Sequence, residues 1–154
     1  MFNGEGRDDS YIAMRVQLRL QVREGATREV EAFVQKFAVE QGLATGDKVL
    51  MLIVIEELLT NLQRYGYPDK AVQGSAEIAL NFEGGRLAIE FIDDGQAFDP
   101  LAHAAPDLDA PLESRTEGGL GLLLVRRLVD DASYQRIGAR NCTRLSWHVA
   151  TAQS

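Results

Sequence analysis

Two polar side chains lie one helical turn apart in a largely apolar segment, residues 47–65. Glu57 and Asn61 are four positions apart, so both project from one face of the predicted helix. Polar groups on a buried helix are costly unless they are paired, hydrogen-bonded or directed into a cavity. In a functional interpretation, Asn61 offers its side-chain oxygen to a hard cation and Glu57 acts as a base or orients a nucleophile. The alternative is a narrow polar stripe that faces solvent.

A second polar group follows the apolar segment that ends at Ile92. Asp93, Asp94 and Gly95 place carboxylates where a predicted strand gives way to a loop. A carboxylate in that position can accept a hydrogen bond from an exocyclic amine such as that of adenine. The alternative is an ordinary Asp-Gly turn. A binding role is favoured because this turn opens the longest irregular stretch of the chain.

A third feature is a cluster of glycines before an apolar segment. Gly118, Gly119 and Gly121 lie at the start of the predicted helix over residues 120–129. Glycines let backbone amides approach a ligand closely, and a helix N-terminus favours phosphate. The alternative is a flexible hinge.

Other sites for phosphate or metal fit the sequence poorly. The segment from Gly42 to Lys48 is too short for a P-loop and carries Asp47 before the lysine. A zinc site is disfavoured because the chain has one cysteine, Cys142, and two histidines. The sequence therefore points to the three features above.

The elements that must position these groups follow from apolar periodicity. The chain predicts helices stacked on one face of a mixed sheet. Thr27 is interpreted as the N-cap of the first helix, Gly42 as its end and Gly66 as the end of the second. Gly84 and Gly85 are placed in a tight hairpin. The predicted strands are 14–22, 76–82, 87–92, 133–137 and 143–149, and the predicted helices are 27–41, 47–65 and 120–129.

The composition limits the class of protein. A chain of 154 residues with 45% hydrophobic and 25% charged residues suits one ordinary globular domain. A net charge of -7 disfavours nucleic acid as the main partner. No apolar run reaches the roughly 18 residues of a membrane span, and the N-terminus does not read as a secretory signal. We expect a cytoplasmic protein that binds neither nucleic acid nor membrane.

Taken together and in this order, the three features resemble the GHKL superfamily of ATP-binding domains. EELLTNLQRYGY is similar to its N box, IDDGQAFDP to its first glycine box and GGLGLLLVRRLVDDASY to its second. Within the superfamily, stand-alone anti-sigma factor serine kinases look most similar. The resemblance covers roughly residues 14–149 and implies an α+β fold, a two-layer α/β sandwich of the Bergerat type. Its sheet would be mixed and mostly antiparallel, in a domain over residues 13–150 with an ATP lid over 95–118, a flexible N-terminus over 1–12 and a tail over 151–154.

The resemblance implies a catalytic pair on the second helix. Asn61 would coordinate Mg²⁺, and Glu57 would be the general base for an attacking hydroxyl. Glu57 is preferred to Glu56 because it lies one turn before Asn61. Phosphoryl transfer needs alignment and charge neutralisation more than covalent help, which these groups can supply.

The resemblance also implies a set of nucleotide-binding residues. Asp93 would receive the adenine amino group, and Gly95 would allow close approach. Ala97 stands where the family usually has a second glycine. The residues expected at the triphosphate and on the adenine side are Gly119, Leu120, Gly121 and Thr143.

The implied function is that of an ATP- and Mg²⁺-dependent protein serine/threonine kinase. It would phosphorylate an anti-sigma-factor antagonist and bind a sigma factor or an analogous regulator. The alternative is an ATP-responsive protein-binding module without phosphotransfer. A homodimer is expected, with the predicted strand at 14–22 as a possible contact.

Overall fold

The computed structural model describes residues 14–102 and 125–149. These residues form five strands and two long helices. In chain order the elements are β1 (Met14–Gln21), α1 (Ala26–Gln41), α2 (Thr45–Tyr65), β2 (Ser75–Glu83), β3 (Arg86–Asp93), β4 (Asp131–Ile137) and β5 (Arg140–His148).

The five strands form one sheet in the order β1-β2-β3-β5-β4. The predicted two-layer α+β sandwich is confirmed, but its sheet is not mixed, because every pairing among the described strands is antiparallel. Two tight hairpins impose two of the four pairings, since they join β2 to β3 and β4 to β5. In the first, Gly84 (φ 58°) and Gly85 (φ 76°) both adopt the left-handed conformation that a two-residue turn of this kind needs.

The hydrophobic core lies between the helices and one face of the sheet. Alternation along the strands directs Ile78, Leu80, Ile89, Phe91 and Leu145 to this face, where each is at most 1% exposed. The helices cover them with Val30, Val34, Phe37, Met51, Val54 and Ile55. The opposite face carries charged side chains that pair with one another, as in the contacts of Glu90 with Arg15 and Arg144. Burial on one face explains why the apolar residues of these strands alternate with polar ones.

The helices end as predicted but begin earlier than predicted. Thr27 is not the N-cap of α1: the helix starts at Ala26, which is buried, and Gly25 caps it in a left-handed conformation (φ 91°). The helix α2 starts at Thr45, so Asp47 lies in its first turn and accepts a hydrogen bond from Trp147 Nε1 at 3.1 Å. Neither helix start has a side-chain cap hydrogen bond.

Candidate functional site

A cavity lies between the C-terminal half of α2 and the adjoining ends of β3 and β5. It contains about 310 Å³ of empty space, counting the part open to solvent. Small-molecule sites usually combine apolar walls with a few polar groups. The apolar walls include Leu58, Leu62, Phe91, Phe98 and Pro100, and the polar groups are Asn61, Asp93, Gln96, Asn141 and Thr143.

Three of the predicted site residues line this one cavity. Asn61, Asp93 and Thr143 come from α2, β3 and β5, and their exposed fractions are 9%, 8% and 1%. The antiparallel register brings the two strand residues together, because Phe91 lies opposite Thr143 and Asp93 lies opposite Asn141. The fold therefore assembles polar groups that are far apart in the sequence.

The Asp93 carboxylate is held by one of its oxygens. Oδ1 accepts hydrogen bonds from the Gly95 backbone N–H at 2.9 Å and from Asn141 Nδ2 at 2.8 Å. Burial raises the pKa of Asp93; the hydrogen bonds from Asn141 and Gly95 oppose that rise without cancelling it. No residue within 14–102 or 125–149 donates a hydrogen bond to Oδ2. Oδ2 is therefore the acceptor that Asp93 can offer to a ligand.

Asn141 is a cavity residue that the sequence analysis did not identify. It is 3% exposed, and its carboxamide contacts both Asp93 and the loop after β3. Side chains alternate between the two faces of a strand, so the inward-facing Trp147 and Leu145 place residue 141 on the inward face as well. The predicted strand began at Thr143, two residues too late to include it.

Gly95 is required by packing rather than by its backbone angles. A Cβ atom built on it would lie 2.8 Å from Leu62 Cδ1, 3.0 Å from Asp93 Oδ1 and 3.1 Å from Gly66 Cα. Ala97 is exposed, and no non-glycine residue in the described part of the chain has a positive φ. An alanine at position 97 is thus free of backbone strain. Neither Gly95 nor Ala97 is among the residues that line the cavity.

The loop after β3 is attached to the end of α2. Gln96 donates its backbone N–H to Gly66 O at 2.8 Å and its side-chain amide to Tyr65 O at 2.5 Å. The Phe98 ring stacks on the Tyr65 ring, with centroids 5.1 Å apart and planes 18° apart. Gln96 and Phe98 then form part of the cavity wall. Residues 63–67, at the C-terminal end of α2, thus also position the part of the cavity wall that Gln96 and Phe98 form.

Glu57 is half-buried on α2, one turn before Asn61. Its Oε2 is buried and has no hydrogen-bond partner within the part of the chain that the structure describes. Burial raises the pKa of Glu57, the nearby Arg64 charge lowers it, and Glu56 raises it further; the net direction is upward. Glu57 does not itself line the cavity. A carboxylate with a raised pKa and an unused oxygen beside a cavity has the properties of a general base.

The donor set fits a magnesium ion that arrives with phosphates. Asn61 supplies a neutral amide oxygen at the cavity wall, and Mg²⁺ usually takes one or two protein oxygens, several waters and substrate phosphates. Residues 14–102 and 125–149 contain no cluster of three or more His, Cys, Asp or Glu side chains that would hold a metal alone. Gly119, Leu120 and Gly121 lie outside the described residues, so their predicted contact with phosphate stays a prediction.

Curated relatives and one solved structure share features with this chain. Serine-protein kinase RsbW of Bacillus cereus (strain AH820) is 34% identical over 98 residues, which cover 61% of this chain and 60% of the relative. The RsbW protein of Bacillus anthracis (strain CDC 684 / NRRL 3495) matches with the same identity and extent. The chain thus aligns with about three fifths of the length of these relatives.

The solved structure and the family model agree with the architecture described above. The crystal structure of the RsbU and RsbW domains of Rv1364c from Mycobacterium tuberculosis superposes with a TM-score of 0.62 at 20% identity. The superposition covers 88% of this chain and 32% of that one, and it shows the fold. The model of the histidine kinase-like ATPase domain matches residues 19–147, which include Asn61, Asp93 and Thr143. The chain therefore belongs to the histidine kinase-like ATPase domain family.

Proposed function

We propose that this protein is an ATP-dependent serine/threonine protein kinase of a partner-switching system. It phosphorylates an anti-sigma-factor antagonist and binds a sigma factor or an analogous regulator. The observation that carries the proposal is the convergence of Asn61, Asp93 and Thr143 on one cavity in a chain of this family. The names of the relatives, which are serine-protein kinases, support the reaction.

Adenine occupies the inner part of the cavity in this proposal. The exocyclic amine donates to the Asp93 carboxylate, whose Oδ1 is already used by Gly95 and Asn141. Leu62 and Phe91 offer apolar surface to the base. Thr143, which is almost fully buried, supplies a hydroxyl on the same side. Gly95 contributes indirectly, because it lets the chain after Asp93 pack against α2.

Phosphoryl transfer takes place at the α2 side of the cavity. Asn61 would hold Mg²⁺, which neutralises phosphate charge when bound. Glu57 accepts the proton of the attacking serine hydroxyl, and its raised pKa makes it a stronger base than an exposed glutamate. Gly119, Leu120 and Gly121 provide backbone amides to the triphosphate at a helix N-terminus.

A homodimer formed through β1 is part of the proposal. In the described sheet β1 pairs only with β2, so its outer edge offers backbone N–H and C=O groups to a second strand. Light scattering tests this, and a monomer at high protein concentration would contradict it.

We also place the protein in the cytoplasm. No helix within 14–102 or 125–149 is both long and apolar enough to cross a membrane.

The test of the reaction is transfer of phosphate to a cognate antagonist. Wild-type protein with Mg-ATP should yield phosphoserine on the antagonist, detected by mass spectrometry. Asn61→Ala and Glu57→Ala should each reduce the rate by about 100-fold or more. Asn81→Ala is the matched control for Asn61→Ala, because Asn81 lies on β2 and lines a groove on the opposite face of the sheet.

Two results would separate the proposal from its alternative. ATP binding without any phosphoserine would favour an ATP-responsive protein-binding module. Control of the partner that survives Glu57→Ala unchanged would also favour that module, because catalysis would then be dispensable.

A further inference from the structure

The carboxamide of Asn141 uses its hydrogen-bonding capacity within the protein. Nδ2 donates to Asp93 Oδ1 at 2.8 Å and to Gln96 O at 2.8 Å. Oδ1 accepts from Tyr134 Oη at 2.5 Å and from Arg136 Nη1 at 3.1 Å. Longer contacts of 3.4 Å join Phe98 N–H to Oδ1 and Nδ2 to Gly95 O. A primary amide has two N–H donors and two acceptor lone pairs, so these contacts occupy the group. Asn141 therefore acts on a ligand through Asp93 and not by direct contact.

These partners allow only one orientation of the amide. Tyr134 and Arg136 lie beside one end of the group and both donate, so that end must be the oxygen. The carboxylate of Asp93 accepts at the other end, so that end must be the nitrogen. A flipped amide would place its NH₂ group against two donors and its oxygen against a carboxylate. Asn141 thus directs its N–H donors, and not its oxygen, towards Asp93.

The β4–β5 hairpin also holds the backbone beside Asp93. Arg136 Nη1 donates to Gly95 O at 2.7 Å in addition to its contact with Asn141. Because Gly95 N–H donates to Asp93 Oδ1, the hairpin holds both groups that bind this oxygen. The β4–β5 hairpin therefore holds the Asp93 carboxylate in position, whereas α2 supplies the opposite wall of the cavity.

We propose that Asn141 is a positioning residue for base selection, and that its carboxamide keeps the Asp93 carboxylate oriented to accept the amino group of adenine. This inference rests on the proposed nucleotide site. A base with an oxygen at the same position, as in inosine triphosphate, places an acceptor against the carboxylate and is rejected. Rejection of inosine triphosphate requires that the Asp93 carboxylate neither rotates away nor becomes protonated. Asn141 opposes both the rotation and the protonation, because it occupies Oδ1 with a fixed donor.

The first test compares the binding of ATP and inosine triphosphate by isothermal titration calorimetry. Wild-type protein should prefer ATP by about 10- to 100-fold, since a hydrogen bond to a charged group is lost and an acceptor is opposed. Asn141→Ala should reduce that preference by about tenfold, mainly through weaker ATP binding. Asn81→Ala, on the other face of the sheet, should leave the preference unchanged.

The second test uses Asn141→Asp, which keeps the shape of the side chain and removes the donor. Two carboxylates at this distance cannot easily be ionised together, and they share a proton as the pH falls. The titratable and charged groups that face the pair are Asp94 beside Asp93, Tyr134 and Arg136 on β4, and Arg19, Glu77 and Arg140 on the outer side of Asp93. ATP affinity of this variant should rise from about pH 8 to about pH 6, whereas that of the wild type should stay level or fall.

Each outcome decides a specific part of the inference. A weakened preference in Asn141→Ala, together with the reversed pH dependence in Asn141→Asp, supports it. An unchanged preference for ATP in folded Asn141→Ala, or a wild-type pH dependence of ATP affinity in folded Asn141→Asp, overturns it and leaves the proposed nucleotide site intact. A wild-type protein that binds neither nucleotide overturns the nucleotide site and this inference with it. If Asn141→Ala does not fold, as judged by circular dichroism, the isosteric Asn141→Asp decides the matter alone.

Discussion

Substitution of Gly95 by alanine tests the packing of the loop that carries Asp93. The added Cβ would lie 2.8 Å from Leu62 Cδ1, 3.0 Å from Asp93 Oδ1 and 3.1 Å from Gly66 Cα. The Leu62 methyl can move, because it is the end of a side chain. The other two atoms are constrained: Gly66 Cα is backbone at the end of α2, and Asp93 Oδ1 is held by two donors. The loop must therefore shift, and Asp93 with it.

The expected cost follows from these contacts. Overpacking a closed site costs about 1–3 kcal/mol, and the lower entropy of the unfolded chain with alanine returns about 0.4–1 kcal/mol. A net loss of about 1–2 kcal/mol corresponds to a decrease in Tm of roughly 3–6 °C for a domain of this size. The displaced carboxylate should also weaken ATP binding by about tenfold.

Urea unfolding and calorimetric ATP titration measure the two effects. Ala97→Gly is the matched control, because it exchanges the same two residues at an exposed position without a positive φ. It should cost less than about 1 kcal/mol and leave ATP affinity unchanged. In a Leu62→Val background the cost of Gly95→Ala should change by less than about 0.5 kcal/mol, since the contacts with Asp93 Oδ1 and Gly66 Cα remain. The packing argument is refuted if Gly95→Ala is neutral, or if loss of Leu62 Cδ1 alone removes its cost.

Two further predictions concern carboxylates near the site. The raised pKa of Glu57 means that its ionisation costs stability as the pH rises from the ordinary glutamate value through the raised one. The Glu57→Gln variant should not show this loss of stability in urea unfolding, and it should be at least as stable as wild type at neutral pH. Its rate of phosphotransfer should fall about 100-fold or more. A marked loss of stability in this variant would contradict the prediction. Burial alone would raise the pKa of Asp94, but hydrogen bonds from Tyr67 Oη (2.5 Å) and Ser75 outweigh burial and lower the pKa. The ionised carboxylate therefore stabilises the fold at pH values above the ordinary aspartate pKa. That stabilisation is lost as the pH falls through the lowered pKa of the folded protein. Tyr67→Phe should therefore cost about 1–2 kcal/mol at neutral pH, and the difference in unfolding free energy from wild type should shrink in acid; a difference independent of pH would refute the assignment.

The elements of this fold were mostly predictable because each follows a local rule. Alternation of apolar residues gave β1, and two adjacent glycines gave the β2–β3 hairpin. Gly42 and Gly66 marked the ends of the helices correctly. The helix starts were less predictable, because no side-chain cap specifies them: Gly25 is the N-cap of α1, and Ala44 is the N-cap of α2.

Part of the candidate site was also predictable, since residue type limits the possible chemistry. Asn61 and Asp93 stood out as polar residues in apolar surroundings, and both line the cavity. Gln96, Phe98 and Asn141 did not stand out, because their roles depend on partners far along the chain. Phe98 meets Tyr65 on α2, and Asn141 meets Asp93 on β3.

The sequence by itself determined the order of elements, the family resemblance and which side chains can bind a metal ion or an amine. Those properties are local, because they depend on residue type and on spacings of a few positions. The tertiary structure decided that the sheet is antiparallel, that Gly95 is needed for packing and that Asn141 orients Asp93. These depend on strand register and on contacts between residues far apart in the chain, such as the hydrogen bond from Asn141 to Asp93, which spans 48 positions. Such pairings are set by the burial of a common core, which no short stretch of the chain specifies alone.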